Sequence, residues 1–324
     1  MVTRLDQNGL VYCLVLFAGL AIVVYGADEA IKRLLGLSKF FRLSAFVTGV
    51  VIAGTLAVLP ELSIGVLSAL DGSSSFGLGV ILGANVADLT LVIGVVVLIA
   101  GCQRMDAVML KNLKISFVAV LLPVILLLDG QLSTIDGAFL VGCFLVYVVW
   151  LLKNGRSEKE VPEFLRWQKR VFRLGITVFL LIIGITVLFI GSELVNQSAQ
   201  ELSTFFGLPL FLIGIVVSIG TCLPEMAFAI RASERKDGEI GIGNILGNVL
   251  ADSMLTIGII ALINPITISN LASPLTAGIF VAVSIVFVYM RSRDGDVSKK
   301  DAVLLICGYG IFLLIQYLLE TVIF

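Results

Sequence analysis

The sequence predicts an all-α membrane protein of ten transmembrane helices arranged as two inverted five-helix repeats. Three observations predict it: an apolar composition, an alternation of basic and non-basic loops, and a set of acidic motifs that occurs twice. Of the 324 residues 59% are hydrophobic and 14% charged, with a mean hydropathy of +1.10, whereas a soluble domain carries about 25% charged residues. This excludes an ordinary soluble enzyme and a disordered chain. The 22 Lys and Arg are balanced by 23 Asp and Glu, so no basic surface exists for nucleic-acid phosphates. With no His in the chain, His-based catalysis, His metal ligation and His pH switches are excluded too. The five cysteines, Cys13, Cys102, Cys143, Cys222 and Cys307, contain no C-x-x-C spacing and read as small apolar residues of helices.

A membrane helix needs roughly 20 mostly apolar residues. Windows of that kind fall at 9–30, 44–70, 77–101, 115–129, 131–152, 174–197, 207–230, 239–263, 273–290 and 302–320. Arg4 ahead of the first run invites a signal-peptide reading, but the run is long for one and Lys32-Arg33 follows it as a cytoplasmic anchor. Asp129-Gly130-Gln131 makes a tight reversal between the fourth and fifth spans. The longest polar stretch, 153–173, is a linker dividing residues 1–152 from 174–324, five spans each. Every Lys and Arg except Arg4 lies in loops 1–2, 3–4, 5–6, 7–8 or 9–10. Cytoplasmic loops collect Lys and Arg, so those five loops are expected in the cytoplasm and both termini outside. Tyr147, Trp150, Trp167 and Tyr317 are expected at the membrane interfaces.

The two halves are written with the same residues. Pro60-Glu61 recurs as Pro224-Glu225 and Asp88 as Asp252, in each case 164 residues on. Gly79, Ile81, Leu82, Gly83, Ala87, Leu91, Ile93 and Gly94 recur at the same interval. A weaker echo relates Gly26-Ala27-Asp28 to Gly191-Ser192-Glu193. Five spans is an odd number, so the second half enters the membrane from the opposite side. This is the inverted-repeat architecture of transporters, with a site near the midplane where the repeats meet.

Glu61, Asp88, Glu225 and Asp252 lie deep inside apolar spans that contain no Lys or Arg. A charge at the bilayer centre costs at least ~2.5–3.5 kcal/mol, so four such acids need a cation, a proton or water. Pro60 and Pro224 remove a backbone N–H inside a span and, with Gly54, Gly83, Gly220 and Gly247, loosen the helices and free carbonyls to line a cavity. Carboxylate and carbonyl oxygens suit a hard cation, and Ca²⁺ takes about six to eight of them. Thr221, Asn85 and Asn248 are candidates for neutral oxygens. Asp28 and Glu193, near span ends, read first as solvated acids and otherwise as a symmetric pair at the two ion entrances.

The segments Gly54-Thr-Leu-Ala-Val-Leu-Pro-Glu61 and Gly79-Val-Ile-Leu-Gly-Ala-Asn-Val-Ala-Asp88, with Gly220-Thr-Cys-Leu-Pro-Glu225 and Gly243-Asn-Ile-Leu-Gly-Asn-Val-Leu-Ala-Asp252, resemble the α-repeats of the calcium/cation antiporter superfamily. The likeness is greatest to the prokaryotic Na⁺/Ca²⁺ exchanger branch, and it extends over nearly the whole chain. The resemblance implies a secondary transporter, not an enzyme. Its metal ligands would be Glu61, Glu225, Asp88, Asp252 and Thr221, with Asn85, Asn248 and Ala57 as possible additional ligands. It implies no cofactor, since Ca²⁺ and Na⁺ or H⁺ are the substrates. The expected partners are inorganic cations and the lipid bilayer, with no nucleic acid and no obligatory protein partner. In the family picture, spans 1 and 6 slide across the core to switch access.

The departures bear on the driving ion. Ala57-Val58 stands where the family has Thr-Ser, unless two residues are inserted after Gly54-Thr55. Cys222 and Ala84 replace hydroxyls, and Asp88 takes a place often held by Asn. Two close carboxylates rarely both ionise, so an Asp88/Asp252 pair sharing a proton implies H⁺ coupling, or another divalent cation, as the alternative. A channel usually needs oligomeric symmetry and a filter, and an intramembrane aspartyl protease would show Tyr-Asp and Gly-x-Gly-Asp contexts, which this sequence lacks.

Overall fold

The computed structural model describes residues 2–40, 58–101, 107–154, 167–234, 238–268, 270–294 and 296–321. These residues are almost entirely helical, because in lipid a spanning segment must satisfy its backbone polar groups internally. In chain order the helices are α1 (Val2–Phe40), α2 (Leu59–Leu70), α3 (Ser74–Ala87), α4 (Ile93–Ala100), α5 (Ala107–Leu126), α6 (Thr134–Asn154), α7 (Trp167–Phe206), α8 (Leu210–Thr221), α9 (Leu223–Glu234), α10 (Gly238–Ala251), α11 (Ile257–Ile263), α12 (Ala272–Asp294) and α13 (Lys299–Thr321). A π-helical turn, Asp88–Val92, joins α3 to α4, and a second, Asp252–Thr256, joins α10 to α11.

Seven stretches among the described residues are long and apolar enough to cross a membrane, in α1, α3–α4, α7, α8–α9, α10–α11, α12 and α13. They correspond to seven of the ten expected spans. The second and fifth expected spans meet shorter apolar helices, Leu59–Leu70 and Thr134–Trp150, and the fourth meets α5. The protein is thus a multi-pass membrane protein. The amino-terminal part of the expected second span, with Gly54 and Ala57, lies outside the described residues. Several helices outrun their apolar windows: α1 has 39 residues and α7 has 40. The linker expected at 153–173 is helical up to Asn154 and again from Trp167, since backbone hydrogen bonding continues past the point where side chains turn polar. The Asp129 reversal is a 3-10 turn, Leu127–Asp129, closed by Gly130 in the left-handed region.

Core and rim are distinct. In the most apolar stretch of Ser74–Ala100, 89% of residues are buried, against 17% in Leu174–Phe206. The α3–α4 span is therefore the centre of the bundle, and α7 lies at its edge, paired along its length with α1. Small residues allow that pair to approach closely. A methyl on Gly26 would stand 2.5 Å from the Leu188 nitrogen, and one on Gly191 2.7 Å from the Val23 nitrogen. Further along, Gly19 faces Val195 and Gly184 faces Ala30. Each contact is matched by another whose residues both lie 165 positions away.

The same recurrence runs through the core. Gly94 packs against the Ala302 carbonyl and Ile306 of α13, and Gly258 packs against the Gly137 carbonyl and Val141 of α6. α6 and α13 begin with the same reciprocal cap. Ser133 N–H and hydroxyl donate to Asp136 Oδ2 at 2.8 and 2.6 Å, and Ser298 does so to Asp301 at 2.9 and 2.6 Å. Connections expected on one membrane side meet at one end of the bundle. Gln131 and Leu132 pair antiparallel with Thr267 and Ile266. Asn264 Nδ2 donates to the Ala69 carbonyl at 3.2 Å, and Asn196 of α7 donates to Asp71.

Candidate functional site

The prolines beside the two glutamates do not sit in mid-helix as the sequence suggested. Pro60 occupies the first turn of α2, and Pro224 follows the first residue of α9. A proline is tolerated there because the first N–H groups of a helix have no intrahelical partner. The span holding Glu225 is therefore broken, with α8 ending at Thr221 and α9 starting at Leu223. Glu61 and Glu225 both lie in the first turn of the helix that starts there, where the positive end of the helix dipole favours a carboxylate.

Asp88 and Asp252 each open a π-helical turn. Such turns are frequent at functional sites. The duplicated aspartates were legible in the sequence, but the change of helical pitch at each was not.

The structure gathers the four acids in one interior region. Glu61, Asp88 and Asp252 are completely buried and Glu225 is 5% exposed. Glu225 feels the charges of Glu61, Asp88 and Asp252, and Asp252 feels those of Glu61 and Asp88. The Cys222 thiol, 3.8 Å from the Ala84 carbonyl, is within electrostatic reach of all four. No Lys or Arg counters them among the described residues, where the ion pairs are Lys32 with Asp28 and Glu29, Arg33 with Glu29, and Arg291 with Asp301.

Many of the oxygens here accept no hydrogen bond: both of Glu61, both of Asp252, Asp88 Oδ1 and Glu225 Oε2. The side-chain carbonyls of Asn85 and Asn248 are also unpartnered. The amide nitrogens are engaged across the two halves. Asn248 Nδ2 donates to Asp88 Oδ2 at 3.0 Å, and Asn85 Nδ2 donates to Ser253 Oγ at 3.0 Å. Thr221 lies beside Glu61 and turns its hydroxyl to the Ser218 carbonyl at 3.1 Å. Thr256 lies beside Asp252. Ser253 and Thr256 were not singled out from the sequence, where nothing separates them from other hydroxyls in apolar spans. Among the described residues no three Cys, Asp or Glu side chains form a ready-made chelate. The acids share a region without being closed on one point.

Asp28 and Glu193 stand apart from this group. Asp28 is exposed and paired with Lys32, and Glu193 accepts from Gln197 at 2.5 Å. Ala57 lies outside the described residues. One further polar contact ties the rim to the site: Ser63, two residues from Glu61 on α2, is 2.7 Å from Ser192 on α7.

The sodium/calcium exchanger protein family matches this chain over residues 11–153 and 176–318. The chain is 26% identical over 315 residues to the inner membrane protein YrbG of Escherichia coli, covering 95% of this chain and 97% of that protein. It is 23% identical over 307 residues to the putative antiporter CaxA of Alkalimonas amylolytica, covering 91% and 94%. Its fold resembles that of the sodium-calcium exchanger NCX_Mj, with a TM-score of 0.65 at 23% identity over 94% of this chain and 98% of that one.

Proposed function

The chain belongs to the sodium/calcium exchanger protein family, and we propose that it is a secondary-active antiporter exchanging Ca²⁺ for Na⁺ by alternating access. The observation that carries this reading is the buried cluster of Glu61, Asp88, Glu225 and Asp252, most of whose oxygens lack hydrogen-bond donors and beside which no Lys or Arg stands among the described residues. In a dry interior such oxygens are stable only when a cation or proton joins them. Glu61 and Glu225 supply the principal charges. Asp88 and Asp252 flank them, and Thr221, Asn85 and Asn248 offer neutral oxygens. Ca²⁺ accepts such a set at about 2.3–2.6 Å with loose geometry. Because the acids are gathered but not closed, ion binding draws the halves together.

Ten spans in two inverted five-helix repeats, 1–152 and 174–324, give this site two equivalent routes of access. The contacts that recur 165 residues apart support the repeat. An empty site carrying several negative charges resists crossing the apolar barrier, whereas a loaded one is nearly neutral and crosses; coupling of that kind produces exchange in place of leak. Lys and Arg in the odd-numbered loops support cytoplasmic placement of those loops and outward-facing termini.

A second reading keeps the antiport but makes H⁺ the counter-ion, or another divalent the cargo. Four acids where the family motif often has three and an amide favour it. The deciding experiment is radiolabelled Ca²⁺ uptake into proteoliposomes under an imposed Na⁺ gradient and, separately, an imposed pH gradient. Uptake driven by Na⁺ alone supports the first reading and by pH alone the second. Uptake that ignores both gradients removes the antiporter.

A further inference from the structure

A second feature lies away from the acids, on the outer face of the bundle. Leu113 and Phe117 of α5 and Ile285 and Val286 of α12 line a groove of about 200 Å³ whose remaining lining is Lys114 and Tyr289. The Lys114 ammonium stands 5.2 Å from the centroid of the Tyr289 ring. Among the described residues no carboxylate pairs with Lys114, and Arg293, one turn beyond Tyr289 on the same helix, is exposed and likewise unpaired. The neighbouring surface is apolar: Val118, Val283, Val286 and Met290 are all exposed by 44% or more.

This combination identifies its occupant. A soluble partner does not reach a face whose exposed residues are hydrocarbon, so the occupant is a membrane component with an apolar body. A lysine at the rim of an apolar face keeps its stem in the hydrocarbon and its charge at the headgroup level. A tyrosine marks the same level, and its ring face adds to the positive charge's preferred position. A cation left without a protein acid at that depth selects a negative headgroup, and basic pockets between membrane helices bind anionic lipids on this principle. We infer that the α5–α12 groove is a binding site for an anionic phospholipid, with an acyl chain between Phe117 and Val286 and the phosphate on Lys114. A bound lipid would bridge α5 and α12, which already pack against each other.

The test uses the full-length protein purified in detergent, with phosphatidylglycerol, phosphatidylcholine and inorganic phosphate as separate additions. Bound lipid is counted by native mass spectrometry, and the thermal unfolding midpoint is followed alongside. The expected result is more phosphatidylglycerol than phosphatidylcholine retained, by the roughly fivefold that one basic residue at a membrane surface supplies. An upward shift of the midpoint is expected with phosphatidylglycerol alone. Lys114→Gln removes the preference between the lipids, and Val286→Trp, which fills the groove and keeps the lysine, removes the retained lipid. Equal retention of both lipids by the unaltered protein overturns the inference, as does a midpoint shift with inorganic phosphate alone. Phosphatidylglycerol preference surviving in the variants that fold overturns it too.

Discussion

The surroundings of Asp88 and Asp252 are the same backbone carrying different chemistry. Both aspartates open a π-helical turn, and both are completely buried. Yet Asp88 accepts a hydrogen bond from Asn248 at 3.0 Å, whereas neither oxygen of Asp252 has a donor. The cause is a displacement of one residue: Asn85 precedes its aspartate by three positions and Asn248 precedes its own by four. On a helix of 3.6 residues per turn this rotates the amide by about 100°. Asn248 then reaches the opposite aspartate, and Asn85 reaches Ser253 instead. A similar contrast holds at the rim, where Ser63 meets Ser192 but the corresponding positions in the other half are Ala227 and Ala27. The scaffold is duplicated and the polar chemistry on it is not.

Substituting the acids that the halves share is expected to have the largest effect, and to the same degree in each half. Glu61→Gln and Glu225→Gln should each reduce Ca²⁺ exchange in proteoliposomes to background. The thermal midpoint of the protein should hold or rise, because each change removes an uncompensated buried acid. Retained exchange in either variant refutes the role of that residue, and retention in only one breaks the equivalence of the glutamates.

The next effect should be unequal. Asn248→Ala removes a hydrogen bond to a charged group, about 1.5–3 kcal/mol, and raises the Ca²⁺ concentration for half-maximal flux by roughly 10–100-fold. Asn85→Ala removes a bond between neutral groups, about 1 kcal/mol, and raises it by roughly fivefold. Identical shifts would mean that the hydrogen-bond asymmetry does not reach the site.

What the sequence discloses follows the same division. Glu61, Asp88, Glu225 and Asp252 stand out because an acid deep inside an apolar span is costly, and their repetition at one interval needs no coordinates. The family resemblance assigns their roles on the same residues. The π-helical turns do not stand out, since DLTLV and DSMLT look like any other apolar helix. The Ser63–Ser192 contact joins residues 129 apart through a crossing of α2 and α7 that no local pattern encodes. The two-residue strands at Gln131 and Ile266 are too short to carry a period. Gly26 and Gly191 were visible only as an echo. That each presses on the other's helix backbone, and so sets the spacing of α1 and α7, required the fold.

That spacing supplies a symmetric prediction of intermediate size. Gly26→Ala and Gly191→Ala each drive a methyl against backbone atoms, at 2.5 and 2.7 Å, and overpacking of this kind costs typically about 1–3 kcal/mol. Both variants should unfold at lower temperature by similar amounts. If α1 and α7 move as one unit, their maximal exchange rates should also change together. A loss confined to one glycine would show that the pair is not the symmetric unit its contacts describe.

The smallest effects should come from the caps of α6 and α13, where the halves are alike in one respect and unlike in another. Ser133→Ala and Ser298→Ala each remove a reciprocal cap, about 1 kcal/mol, so their unfolding midpoints should fall equally. The acids of the caps should separate them. Asp301 also receives the Arg291 Nε at 2.8 Å, a pair whose carboxylate is only 5% exposed, whereas among the described residues Asp136 has no cationic partner. Asp301→Asn should therefore destabilise more than Asp136→Asn, by the ~0–1 kcal/mol that a partly exposed ion pair contributes. The excess should vanish in an Arg291→Gln background, because the double substitution leaves only the capping bonds to compare. An excess that persists without Arg291 would place the difference in the helices themselves and not in the charge beside one of them.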